Sequence, residues 1–111
     1  RAQVASMADN AIVFALANPI PEIMPDEAKK AGALVVATGR SDFPNQLNNV
    51  LGFPGIFRGA LDHGVRDITN EMLVKAALKL ARLIAKPTAN LIIPSPFDKR
   101  VVPAVANAIR E

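Results

Sequence analysis

The sequence predicts an α/β fold in which parallel strands carry flanking helices, and three observations predict it. Two apolar runs, "AIVFALA" (11–17) and "ALVVATG" (33–39), contain no polar alternation, as expected of strands buried on both faces of a parallel sheet. One short helical segment joins them, so strand, helix and strand make a βαβ unit with a right-handed crossover. Downstream, apolar residues recur at helical spacing in segments bounded by capping residues and prolines.

The elements follow in order. The first run stops at Asn18-Pro19, because Pro19 has no N–H and holds Asn18 outside helical geometry. The next stretch has Pro25, Asp26 and Glu27 early, Lys29 and Lys30 late, and Gly32 beyond. Acid first, base last and glycine after is the order that complements a helix dipole. The second strand then spans 34–38, parallel to a first strand at 12–17, with Asn18 and Gly39 at one edge. Residues 44–63 are predicted helical, with an irregularity at 52–55. The clearest helix lies in "DITNEMLVKAALKLARLIAK", capped by Thr69 or Asn70 and ended by Pro87. Its expected buried face is Leu73, Ala76, Ala77, Leu80, Leu83 and Ile84; Lys75, Lys79, Arg82 and Lys86 form the solvated one. "LIIPSPF" is predicted to be extended, a candidate strand of a few residues. A final helix starts near Val101 with Pro103 in its first turn.

Composition excludes several classes. Half of the 111 residues are apolar and 21% are charged, as in globular proteins. A net charge of +3, with scattered basic residues and no Tyr or Trp, argues against a nucleic-acid partner. With no cysteine there is no thiolate nucleophile, disulfide or cysteine metal site. No apolar run approaches the roughly 18 residues of a membrane span. The chain opens at Arg1 without an initiator Met, so it is expected to be a fragment or a processed product. Carboxylates occur singly, so no metal cluster is expected, and the six glycines nowhere form G-x-G-x-x-G. His63 reads as a surface or capping residue. Arg40 and Asp42 read as a loop ion pair or a helix cap, with an anion site as the alternative.

Open α/β sheets bind ligands outside the carboxyl ends of their strands. Asn18 stands at one such end and the Gly39-Arg40-Ser41-Asp42 loop at the other, so Asn18 is expected to converge with the loop leading to Asn48 and Asn49. An amide donates and accepts without changing charge. It can hold a carboxylate, a hydroxyl or a carboxamide over a wide pH range, which is a positioning role. The plainer alternatives are a turn former for Asn18 and caps for Asn48 and Asn49.

"VFALANPIPEIMPDEAKKAGA", "VVATGRSDFPNQLNNVLGFPGIFRGALD", "ITNEM" and "IIPSPFDKRVVPAVANAI" resemble, in this order, the C-terminal half of the NAD(P)-binding domain of malic enzymes. The resemblance covers essentially residues 1–111 and implies part of a Rossmann-like parallel sheet with flanking helices. It implies oxidative decarboxylation of L-malate to pyruvate and CO2, with NAD or NADP and Mg2+ or Mn2+. By position, Asn18 and Asn49 are expected to bind malate. Asn18, Asn48 and Asn49 are expected to touch the nicotinamide end of the cofactor. No catalytic residue and no metal ligand is expected in this segment. The family's proton-donating Tyr, general-base Lys and three acidic metal ligands lie upstream, and Phe43 stands where relatives commonly have Tyr. The resemblance further implies the upstream part of the enzyme as partner, a homo-oligomer, a cytoplasmic location and no contact with nucleic acid or membrane. The segment alone is expected to be inactive. A second reading is a non-catalytic dinucleotide-binding or scaffold module in a fused or degraded relative.

Overall fold

A computed structural model describes residues 1–111. It divides into two compact units, Arg1–Leu47 with Pro87–Ile92, and Asn48–Lys86 with Ile93–Glu111.

The first unit contains α1 (Ala2–Ala5), β1 (Ala11–Ala15), α2 (Pro25–Lys30) and β2 (Ala33–Thr38). The strands are parallel, with Ile12 beside Val35, Val13 beside Val36 and Ala15 beside Thr38. The βαβ unit is therefore as expected. α2 opens on Pro25 with Asp26 and Glu27 in its first turn, and Lys29 and Lys30 close it. Gly32 follows at φ +108°, a left-handed conformation that glycine adopts without a steric penalty. Ala28, Ala33 and Val36 form a small core against Val4, Val13 and Ile23. The single-turn α1 adds to the expected elements.

Burial of β1 departs from expectation. Ile12 is 60% exposed and Phe14 52%, whereas Ala11 and Ala15 are buried. The strand is covered on one face only, since successive side chains point to opposite sides. β2 is buried from Val35 to Thr38, with Leu34 exposed.

The helix expected over 44–63 starts later. The Leu47 N–H donates to the Thr38 carbonyl at 2.8 Å, and Gln46 bridges Thr38 in parallel fashion. Asn45 sits at φ +60°, which a helix cannot contain. Gln46 and Leu47 thus pair with the end of β2 instead of beginning a helix. "LIIPSPF" forms no strand; an isolated antiparallel bridge joins Thr88 to Leu91. Pro94 and Pro96 have no N–H with which to extend a ladder.

The second unit holds a 3-10 turn at Asn49–Leu51, then α3 (Phe53–Asp62), α4 (Asn70–Arg82) and α5 (Val101–Ala108). Gly52 separates the turn from α3, at the expected irregularity. Thr69 caps α4 by accepting the Met72 N–H at 3.2 Å, and α5 begins at Val101 as expected. The core comprises Leu51, Met72, Ala76, Val101, Val105, Ala108 and Ile109, with Ile56, Ala60, Leu80 and Leu83 against it. Leu73 and Ala77 are exposed, so the buried stripe runs through Met72 and Ala76 to the partly buried Leu80 and the C-cap Leu83, about an eighth of a turn from the predicted face. The helix stops at Arg82, short of Lys86. α3 packs on α5 through glycine: a Cβ at Gly59 would stand 2.4 Å from the Ala106 carbonyl oxygen. Only a residue without a side chain permits that approach.

Candidate functional site

Asn18 follows the carboxyl end of β1 by three residues, and its peptide bond to Pro19 is cis. It lines a cleft of about 580 Å3 with Pro19, Ile20, Gly39, Arg40, Ser41, Asp42 and Gln46. The cleft therefore lies outside the carboxyl ends of both parallel strands, where α/β sheets bind ligands. The Asn18 amide lies over Gly39: a Cβ there would stand 3.0 Å from Oδ1 and 3.2 Å from Nδ2.

The loop after β2 is held from inside. The Thr38 hydroxyl, fully buried, accepts the Arg40 N–H at 3.2 Å. The Gln46 amide reaches the Gly39 carbonyl at 3.4 Å. Arg40 grips Asp42 with two hydrogen bonds of 2.9 and 2.7 Å, and its guanidinium stands 5.3 Å from the Phe43 ring centre. The hydrogen bond from Arg40 holds the Asp42 carboxyl below its ordinary range, and Asp42 pushes the guanidinium up. The pair clasps the loop, as the ion-pair reading expects. Beside this ion pair, the cleft offers the neutral hydrogen-bonding side chains of Asn18, Ser41 and Gln46.

Asn48 and Asn49 belong to the second unit. The Asn48 side chain accepts the Val50 N–H at 3.0 Å and caps the 3-10 turn. Asn49 opens that turn and is exposed. Of the three expected site amides, Asn18 alone lines the cleft of the first unit.

Asn45, next to Gln46, is a structural amide. It is buried; its Nδ2 donates to the Val36 and Ala89 carbonyls at 3.2 and 2.9 Å, and its Oδ1 accepts the Ile92 N–H at 3.0 Å. His63 closes α3 and its Nδ1 hydrogen-bonds the Ile109 carbonyl at 2.8 Å, which matches the capping reading. Lys79 leaves the solvated stripe to bond Asn107. No group of three or more His, Asp or Glu side chains could hold a metal ion.

Sequence reasoning missed Glu22. Its carboxylate accepts the Leu16 N–H at 3.1 Å and the Ala17 N–H at 2.9 and 3.1 Å. The available signal was an acid four residues after Asn18, between Pro21 and Pro25.

A parallel βαβ unit with a polar cleft outside the carboxyl ends of its strands defines the α/β class of Rossmann-like domains. The family described as malic enzyme, NAD binding domain, matches residues 2–109, and the chain belongs to that family. It is 59% identical over 108 residues to the bifunctional malic/malolactic enzyme of Bacillus subtilis (strain 168), covering 96% of this chain and 26% of that protein. It is 53% identical over 110 residues to the NAD-dependent malic enzyme of Geobacillus stearothermophilus, covering 97% and 23%. The crystal structure of malic enzyme from Pyrococcus horikoshii Ot3 superposes with a TM-score of 0.93 at 57% identity, over 96% of this chain and 24% of that one. The chain thus spans about a quarter of the length of the relatives it matches.

Proposed function

We propose that this chain is the C-terminal part of the NAD(P)-binding domain of a malic enzyme that converts L-malate to pyruvate and CO2. In this reading Asn18 and Asn49 bind malate, and Asn18, Asn48 and Asn49 hold the nicotinamide end of NAD or NADP. The observation that carries it is the Asn18 amide on the rim of a parallel sheet, over Gly39, in a chain that matches the family across residues 2–109.

Asn18, Asn48 and Asn49 would hold the nicotinamide, which would supply the hydride acceptor for oxidation of malate. The chain's own residues bind and orient. A primary amide can donate to a malate carboxylate or accept from a hydroxyl or a carboxamide N–H, and it does so unchanged over the working pH range. Orientation of this kind lowers a barrier by fixing the reacting groups before the reaction. The segment supplies no acid, base or metal ligand. Those roles, and the Mg2+ or Mn2+ site, belong in this reading to upstream residues. The whole enzyme is read as a cytoplasmic homo-oligomer; no helix here is long and apolar enough to cross a membrane.

The test is malate-dependent reduction of NAD and NADP by the full-length protein that carries this segment, with Mn2+ present. Turnover with either cofactor is expected. A folded full-length protein without turnover on malate would favour the scaffold reading.

A further inference from the structure

Pairing of β1 with β2 ends at Ala15 and Thr38. The next two N–H groups of the chain, those of Leu16 and Ala17, are both taken by the Glu22 carboxylate. Pro19 and Pro21 have no N–H. The loop from Leu16 to Glu22 is therefore closed by one side chain, and Asn18 sits within the closed loop. We propose that Glu22 is a positioning residue for Asn18, fixing the angle at which its amide enters the cleft. The inference rests on the reading of Asn18 as an amide that binds malate and nicotinamide.

The chemistry suits the task. An ionised carboxylate has two oxygens and several lone pairs, so it can receive two neighbouring N–H groups at once. Its own N–H and then the Ala17 N–H hold the Glu22 carboxyl below its ordinary range, which keeps it an acceptor. Glu22 does not line the cleft, so its influence on a ligand passes through the loop.

The experiment uses the full-length enzyme carrying this segment and a double-mutant cycle between Glu22 and Asn18. Glu22→Gln leaves one neutral acceptor oxygen in place of two charged ones, and a loss of roughly three- to tenfold in malate kcat/KM is expected. Glu22→Ala should lose more, approaching the loss from Asn18→Ala. In the Asn18→Ala background both Glu22 substitutions should leave kcat/KM unchanged, because the group they orient is gone. A purely structural role would lower activity by the same factor in both backgrounds, and such additivity would overturn the proposal. So would wild-type kinetics in Glu22→Gln, which decides the matter even where Glu22→Ala fails to fold. Asn18→Ala separates the two claims. If it leaves malate kinetics intact, the assignment of Asn18 is wrong; if it is impaired and Glu22→Gln is not, only the role of Glu22 is.

Discussion

The Asn18 amide rests on the bare Cα of Gly39, with Oδ1 placed 3.0 Å from where a Cβ would be. The two residues lie just beyond the carboxyl ends of neighbouring parallel strands, and the missing side chain of one makes room for the amide of the other. Gly39→Ala should push the amide aside by a few tenths of an ångström. In the full-length enzyme, malate kcat/KM is expected to fall by on the order of tenfold, with little change in melting temperature. Unaltered kinetics would show that the amide has room to spare.

Asn45→Ala should destabilise the protein by about 2–4 kcal/mol, since it strips partners from the Val36 and Ala89 carbonyls and the Ile92 N–H. It also leaves an alanine at φ +60°. Denaturant unfolding reads the cost. A stability within experimental error of wild type would remove Asn45 as the fastener of this loop.

Asp98 precedes α5 and binds Arg100 through both its side chain and its backbone N–H, and these bonds lower its pKa from 3.8 to about 2. A carboxyl depressed in the folded state adds stability above its unfolded pKa and loses it as pH falls through the folded one. Stability should therefore decline between pH of about 4 and about 2. Asp98→Asn should flatten that part of the profile while leaving the rest in place. An unchanged acid limb in the variant would show that other carboxyls set it.

Residues 1–111 alone should not reduce NAD or NADP with malate, even with Mn2+ present. The chain has no Tyr, no glycine-rich phosphate loop and no cluster of metal-ligating side chains. The exposed Ile12, Phe14 and Leu34 of its sheet should also make it prone to associate. Absorbance of reduced nicotinamide reads the first expectation and light scattering the second. Turnover by the chain alone would mean that an acid and a cofactor loop have been overlooked.

The legible parts of the fold were those fixed by local chemistry. Pro25, Gly32, the Thr69 cap and the apolar runs act within a few residues of themselves, and each element they marked is present. Asn45 was not legible because its partners lie 44 and 47 residues away at Ala89 and Ile92. No local pattern shows that its amide will be turned inward and its backbone left-handed. The buried face of α4 was misjudged, with Met72 buried in place of Leu73 and Ala77 exposed, since either choice gives an apolar stripe at helical spacing. The exposed face of β1 was hidden for a related reason: an apolar run records what a strand is able to bury. Asn18 was legible as a residue of the cleft from its place before Pro19, just past a strand end. Glu22 was not, because its hydrogen bonds to Leu16 and Ala17 depend on the closure of a loop that two prolines shape.

The central claim is that neutral amides of this segment grip malate and the nicotinamide, and Asn49→Ala in the full-length enzyme tests it most directly. Loss of one hydrogen bond to a charged ligand group should cost on the order of 1.5–3 kcal/mol, or roughly ten- to a hundredfold in malate kcat/KM. Melting temperature should stay close to wild type, since Asn49 is exposed. A well-folded Asn49→Ala enzyme with unchanged malate kinetics would contradict the account.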